Sequence, residues 1–148
     1  MSSSTEPSIK VIDAGIAVQA ILPVLSSAEG GLQLFVNWHT QMERIIAPEI
    51  WLSEVVSVIR QGIYRRWITD EEAHTAVEDV FRLHVEIMRS DEALCQGALM
   101  WASRLDQSKA YDGFYLALAD RMGAEFWTTD NRLANRASQI GVDWIHKV

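Results

Sequence analysis

Five short apolar runs punctuate the chain: IKVID (9–13), RIIAP (44–48), HVEIM (84–88), EFWTT (125–129) and VDWIH (142–146). Each is too short for a stable helix and right for a strand. The stretches between them carry helical spacing, over roughly 15–25, 27–41, 48–62, from Thr69 up to HVEIM, 92–105, 112–122 and 131–140. Pro48 suits the first turn of the third of these helices. Thr69 with Glu72 makes a capping box for the fourth, and Gly123 is a natural stop for the sixth. Strands alternating with helices in this way predict an α/β fold, a mostly parallel five-stranded sheet covered on both faces. In such sheets the functional crevice lies beyond the carboxyl ends of the strands.

At 148 residues the chain is long enough for one domain with a real core. The start, MSSSTEPS, reads as a disordered tail over 1–8, leaving 9–148 as the folded domain. It lacks the basic-then-apolar pattern of a signal peptide, and GIAVQAILPVL is too short and too interrupted to span a bilayer. Cys95 is the only cysteine, so no intrachain disulfide can form, which fits a reducing cytoplasm. The formal charge of −7 argues against a broad, sequence-blind grip on nucleic acid. It is nearly neutral about a nuclease, because bound cations invert the local field.

Four acids stand at the boundaries between these elements: Asp13 in KVIDAG, Glu54 in WLSEVVSVIR, Asp112 in KAYDGFYLALAD and Asp130 in FWTTDNRL. An isolated ionised carboxylate in apolar surroundings is costly unless paired or solvated. Asp13, Asp112 and Asp130 could each simply cap a helix. Glu54, with Ile50, Trp51 and Val58 one turn away, could pair with an arginine. Taken together they point elsewhere. Carboxylates ~4 Å apart repel by roughly 4 kcal/mol at an effective dielectric of 20. Mg²⁺ or Mn²⁺, hard ions that prefer carboxylate and water oxygens, removes that repulsion and serves phosphoryl chemistry.

The order Asp13, Glu54, Asp112, Asp130 resembles the PIN-domain ribonucleases, especially the toxins of bacterial VapBC-type toxin–antitoxin pairs. The likeness runs from about residue 9 to the end. Its most specific parts are YDGFYLALADRMGAEFWTTDNRL and SEVVSVIR. The resemblance implies a three-layer α/β/α sandwich and a Mg²⁺- or Mn²⁺-dependent endoribonuclease. Asp13, Glu54 and Asp112 would hold the principal metal, with Asp130 a direct or water-mediated ligand. Hydrolysis by metal-activated water would leave a 5′-phosphate and a 3′-hydroxyl. A homodimer and a small antitoxin partner are also implied. Thr128 matches the family's hydroxyl position near the last Asp. The family's Ser or Thr two residues after the first Asp is replaced by Gly15.

Arg60, Lys109 and Arg132 lie near these acids in sequence; a solvated face is the default reading of such charges, and phosphate contact the second. The four histidines show no zinc-ligand spacing, and no phosphate-binding glycine loop is present. Cys95 is expected to be a small buried thiol. Most of the six tryptophans should be core, with Trp38 and Trp67 partly exposed. Three rivals remain open: a PIN nuclease of RNA processing without an antitoxin, a haloacid-dehalogenase-like phosphohydrolase, and a degenerate PIN fold that only binds. The second would need another Asp where Gly15 stands.

Overall fold

A computed structural model describes residues 7–26 and 29–148. Five strands form one sheet in the order β3-β2-β1-β4-β5: β1 (Ile9–Ile12), β2 (Arg44–Pro48), β3 (Glu86–Met88), β4 (Glu125–Thr128) and β5 (Ile145–Lys147). Every neighbouring pair is parallel. The helices are α1 (Ala14–Ile21), α2 (Gly31–Thr40), α3 (Ile50–Tyr64), α4 (Asp70–Arg82), α5 (Glu92–Arg104), α6 (Tyr111–Met122) and α7 (Asn131–Gln139).

Parallel neighbours need crossovers, and right-handed crossovers sort the helices by direction of travel. From β1 the chain moves outward through β2 to β3, which lays α1 to α4 on one face. It then crosses to β4 and β5, which lays α5 to α7 on the other. Packing agrees, since α1 touches α2, α3 and α4, while α6 lies on α5 and on β1, β2 and β4. Residues alternate between the two layers along a strand. In β4, Phe126 stacks on Tyr115 of α6, while Trp127 meets Trp38 of α2. The central strands are mostly apolar where both faces are covered, with Val11, Ile12, Ile46, Ala47 and Phe126 without solvent contact and Lys10 and Thr128 their buried polar residues.

Several boundaries differ from the sequence expectations for local reasons. The first helix ends at Ile21, because Pro23 can neither donate to the helix nor leave its predecessor helical; a 3-10 turn follows over Pro23–Leu25. Pro48 is the last residue of β2 rather than the first turn of α3, which begins at Ile50. The last strand is Ile145–Lys147, three residues later than VDWIH implied at its start. The Thr69–Glu72 capping box is present in both directions, and Gly123 ends α6 at φ 59°. Trp38 is buried rather than partly exposed, whereas Trp67 is half exposed. Cys95 is exposed on α5, not buried.

Of the expected N-terminal tail, residues 1–6 lie outside the described residues. Ser8 is tied to the domain through its hydroxyl to Glu43 and its carbonyl to the Arg44 amide. Residues 27 and 28, expected to open the second helix, also lie outside. Among the described residues, no helix is long and apolar enough to cross a membrane.

Candidate active site

Asp13 follows the last residue of β1, at the carboxyl end of the central strand. Its backbone is pinned on both sides, the amide donating to the Trp127 carbonyl (3.1 Å) and the carbonyl accepting from Trp51 Nε1 (3.0 Å). Its Oδ1 accepts the Ile16 amide at 3.0 Å, so the helix-capping reading is correct as far as it goes. Oδ2 accepts from the Thr128 hydroxyl at 2.6 Å and from the Thr129 amide at 3.0 Å. Even so, burial pushes the Asp13 carboxyl above its usual range, against these three bonds and with help from the charge of Asp130.

Glu54 lies on the second turn of α3, between the inward residues Trp51 and Val55. An arginine partner, the alternative explanation of Glu54, is not found among the described residues. Instead Oε1 accepts from the Tyr115 phenol at 3.2 Å. Burial raises the Glu54 carboxyl; the Tyr115 hydrogen bond opposes this, and the charges of Asp112 and Asp13 add to it. The phenol is itself held well above its usual range, by burial and then by the charges of Glu54, Asp13 and Asp112. It stays a neutral donor.

Asp112 is the second residue of α6 and does not cap it; Ala110 occupies that place. Its Oδ2 accepts from Gln107 Nε2 at 2.9 Å, and burial, with Asp130 adding, raises its pKa despite that bond. Asp130 is exposed and does cap α7, Oδ1 accepting from the Arg132 and Leu133 amides. The fully buried Thr128 hydroxyl joins the two strand ends, accepting from the Asp130 amide at 2.9 Å while donating to Asp13.

Asp13 and Glu54, Glu54 and Asp112, Asp112 and Asp130, and Asp130 and Asp13 thus feel one another's charge around a closed circuit. Among the described residues, no lysine or arginine forms an ion pair with any of the four. An all-carboxylate donor set in which burial raises Asp13, Glu54 and Asp112, and in which no acid is ion-paired, has the chemistry of a hard divalent cation's site. As the side chains stand, no group of three or more His, Cys, Asp or Glu among the described residues is arranged to hold an ion. Tyr115 engages Glu54 Oε1 and Gln107 engages Asp112 Oδ2, while the second oxygen of each carboxylate has no protein donor among the described residues.

The auxiliary candidates separate. Lys109 is exposed in the loop leading to Asp112. Arg132 is exposed on the first turn of α7, beside Asp130. Arg60 stands six residues beyond Glu54, about 9 Å further along the α3 axis and on a different face. Three contributors were missed from the sequence: Tyr115, Gln107 and Thr129. A Cβ added to Gly15 would overlap the Thr129 hydroxyl outright, so the space of the missing side chain is already filled by one.

Residues 10–139 match the family described as the PIN domain. The chain is 29% identical over 133 residues to Ribonuclease VapC12 of Mycobacterium tuberculosis, covering 84% of this chain and 88% of that protein. The structure of VapBC2 from Rickettsia felis, bound to a DNA fragment from its promoter, superposes with a TM-score of 0.65 at 13% identity, covering 95% of this chain and 98% of that one. Mycobacterium tuberculosis VapC20, described as a Sarcin-Ricin loop cleaving toxin, superposes with a TM-score of 0.58 at 12% identity over 85% of this chain and 94% of that one. With the family match spanning nearly the whole chain, this protein belongs to the PIN-domain family.

Proposed function

We propose that this protein is a metal-dependent endoribonuclease and the toxin of a toxin–antitoxin pair, acting in the cytoplasm. The observation that carries the chemistry is the set of Asp13, Glu54, Asp112 and Asp130 at the carboxyl edge of the sheet, each within reach of the charge of two others and none ion-paired among the described residues. Asp13, Glu54 and Asp112 would hold Mg²⁺ or Mn²⁺, with Asp130 a further direct or water-mediated ligand. The metal would supply charge neutralisation at the phosphate and a more acidic water.

The chain's own groups do the rest. Thr128 and Thr129 fix the orientation of Asp13. Tyr115 holds Glu54 without competing as an anion. Lys109 and Arg132, exposed beside Asp112 and Asp130, would take flanking phosphates. The toxin role draws on VapC12, named a ribonuclease, and on the VapBC2 complex. Homodimerisation belongs to the same reading. An arginine of an antitoxin reaching the carboxylates would be the natural inhibitor, since guanidinium pairs with them directly. The dehalogenase-like alternative loses ground, because Thr129 fills the space that a second Asp at position 15 would need.

Inducible expression in a bacterium, comparing wild type with Asp112→Asn, tests the proposal. Growth arrest and new RNA ends with wild type alone are expected, and in vitro cleavage should require Mg²⁺ or Mn²⁺. Equal cleavage by the variant at saturating metal would sink the site assignment. Cleavage without arrest would favour an RNA-processing role.

A further inference from the structure

Gln19 is the misfit of α1. It is 2% exposed among buried apolar neighbours, and neither Nε2 nor Oε1 of its amide has a hydrogen-bond partner among the described residues. Burying an unpaired amide is costly, so such a side chain calls for a partner that the fold itself does not supply. Its amide end meets the start of α2, where a Cβ added to Gly31 would stand 2.7 Å from Gln19 Oε1. The same Cβ would stand 3.0 Å from Ala20 N and from Ile16 O, so only glycine lets α2 begin this close to α1.

Gln19, Pro23, Glu29, Gly30, Gly31 and Leu32 are among the residues that line about 280 Å³ of space at this junction. One water's share of liquid volume is roughly 30 Å³, so a single bridging water would fill little of it. Drug-sized ligands occupy roughly 300–1,000 Å³, so a smaller molecule suits it.

The lining also sets the charge of an occupant. α2 has no side-chain cap and no acidic residue in its first turn, and Gly30 precedes it in the left-handed region at φ 92°. Leu34 carries the first amide with a helical acceptor, the Gly30 carbonyl at 3.1 Å. The amides of Gly31, Leu32 and Gln33 therefore have no backbone acceptor among the described residues. Unpaired amides at the amino end of the helix dipole favour an anion. Glu29, the one ionisable residue among those lining the cleft, favours a cation. An anion alone would be repelled by Glu29, and a cation alone by the helix end. A compact zwitterion satisfies both, and the Gln19 amide offers a donor to its carboxylate and an acceptor to its ammonium. Pro23 and Leu32, both exposed, give an apolar side chain a surface to lie on.

We infer that the cleft between α1 and α2 binds a free α-amino acid with an apolar side chain. Its carboxylate takes the amides at the start of α2 and Gln19 Nε2, and its ammonium takes Gln19 Oε1 and Glu29. The cleft shares no residue with Asp13, Glu54, Asp112 or Asp130, so its occupancy is independent of the nuclease reading.

Amide NMR spectra of the full chain test this, with L-leucine, L-valine and L-alanine as ligands. Isocaproate, which lacks the ammonium of leucine, and isoamylamine, which lacks its carboxylate, are the controls. At least one amino acid should shift the Gly31, Leu32 and Gln33 amides and the Gln19 side-chain amide saturably. Both controls should bind leucine's site about tenfold more weakly or worse, each having lost a charged contact. Gln19→Met removes both polar atoms at similar volume, so it should melt at or above the wild-type temperature while weakening amino-acid binding about tenfold. Glu29→Gln should weaken the amino acid but not isocaproate. No saturable shift with any of the three amino acids overturns the proposal, as does isocaproate binding as tightly as L-leucine. Wild-type binding by Gln19→Met overturns it too. So does a Gln19→Met that melts well below wild type, because the amide would then be satisfied within the fold.

Discussion

Gly15 and Thr129 share one volume. The glycine follows the helix-capping Asp13, and the Thr129 hydroxyl stands where a side chain at 15 would begin. Gly15→Ser should therefore destabilise by about 1–3 kcal/mol, the usual range for overpacking a filled site. Adding Thr129→Gly to Gly15→Ser should recover much of that loss in denaturant melts. A double variant no more stable than Gly15→Ser would show that the two side chains do not compete. Tyr115 allows a second test. Tyr115→Phe keeps the stacking on Phe126 but removes the donor to Glu54, which is only partly buried. A loss of about 1 kcal/mol is expected, with cleavage falling further than stability because Glu54 loses its orientation. The four acids were legible in the sequence because charge in apolar runs stands out residue by residue. Tyr115 and Thr129 were not, because each acts through a contact distant in sequence; Tyr115 and Glu54 are 61 residues apart. Tyr115 reads as an ordinary core aromatic until Glu54 is placed beside it.

Helix boundaries were legible where their signals are local and lost where tertiary pairing decides. Thr69 and Glu72 satisfy each other within one turn, so that start could be read directly. Pro48 looks like a helix-starting residue, yet its pairing with Met88 across β2 and β3 keeps it in the sheet. Asp91 shows how local and tertiary support combine. It caps α5 by accepting the Leu94 amide, and it also pairs with Arg121 of α6 at 2.6 Å. The Arg121 hydrogen bonds, then the Leu94 amide, hold its carboxyl down to about 2. A folded-state pKa below the unfolded one means that the unfolded chain binds the proton more readily, so the stabilisation exists above the ordinary carboxylate range and fades as the acid is titrated. Asp91→Ala should thus be less stable than wild type at neutral pH. In urea melts the gap should close as pH falls from about 4 toward 2. A gap unchanged down to pH 2 would mean that the carboxylate charge contributes nothing to the α5–α6 pairing.

The parallel five-stranded sheet followed from the alternation of short apolar runs with helices, but the order β3-β2-β1-β4-β5 did not, because apolar runs carry no record of which neighbour they pair with. That order is what puts Asp13 and Asp130 just beyond the ends of adjacent strands and lets α3 and α6 lean over them from opposite layers. It also gives the whole molecule a stability cost with the opposite pH sign from Asp91. Asp13, Glu54 and Asp112 all have raised folded-state pKa values, so the folded chain binds protons more readily than the unfolded one. Their penalty is absent below the ordinary carboxylate range and grows as pH rises through the raised values. At neutral pH without divalent cations, removing one of these charges should help the fold. Asp112→Asn should therefore melt at or above the wild-type temperature in chelator. A ligand that binds only the folded state at a hundred times its Kd adds about 2.7 kcal/mol, or about 5–10 °C for a chain of this size. Saturating Mn²⁺ should accordingly raise the wild-type melting temperature by about that much and move Asp112→Asn much less, so that the two curves exchange order. If Asp112 were only a fold-stabilising residue, wild type would melt higher in both solutions. If the four acids bound no cation, neither protein would respond to Mn²⁺, and the exchange of order would not occur.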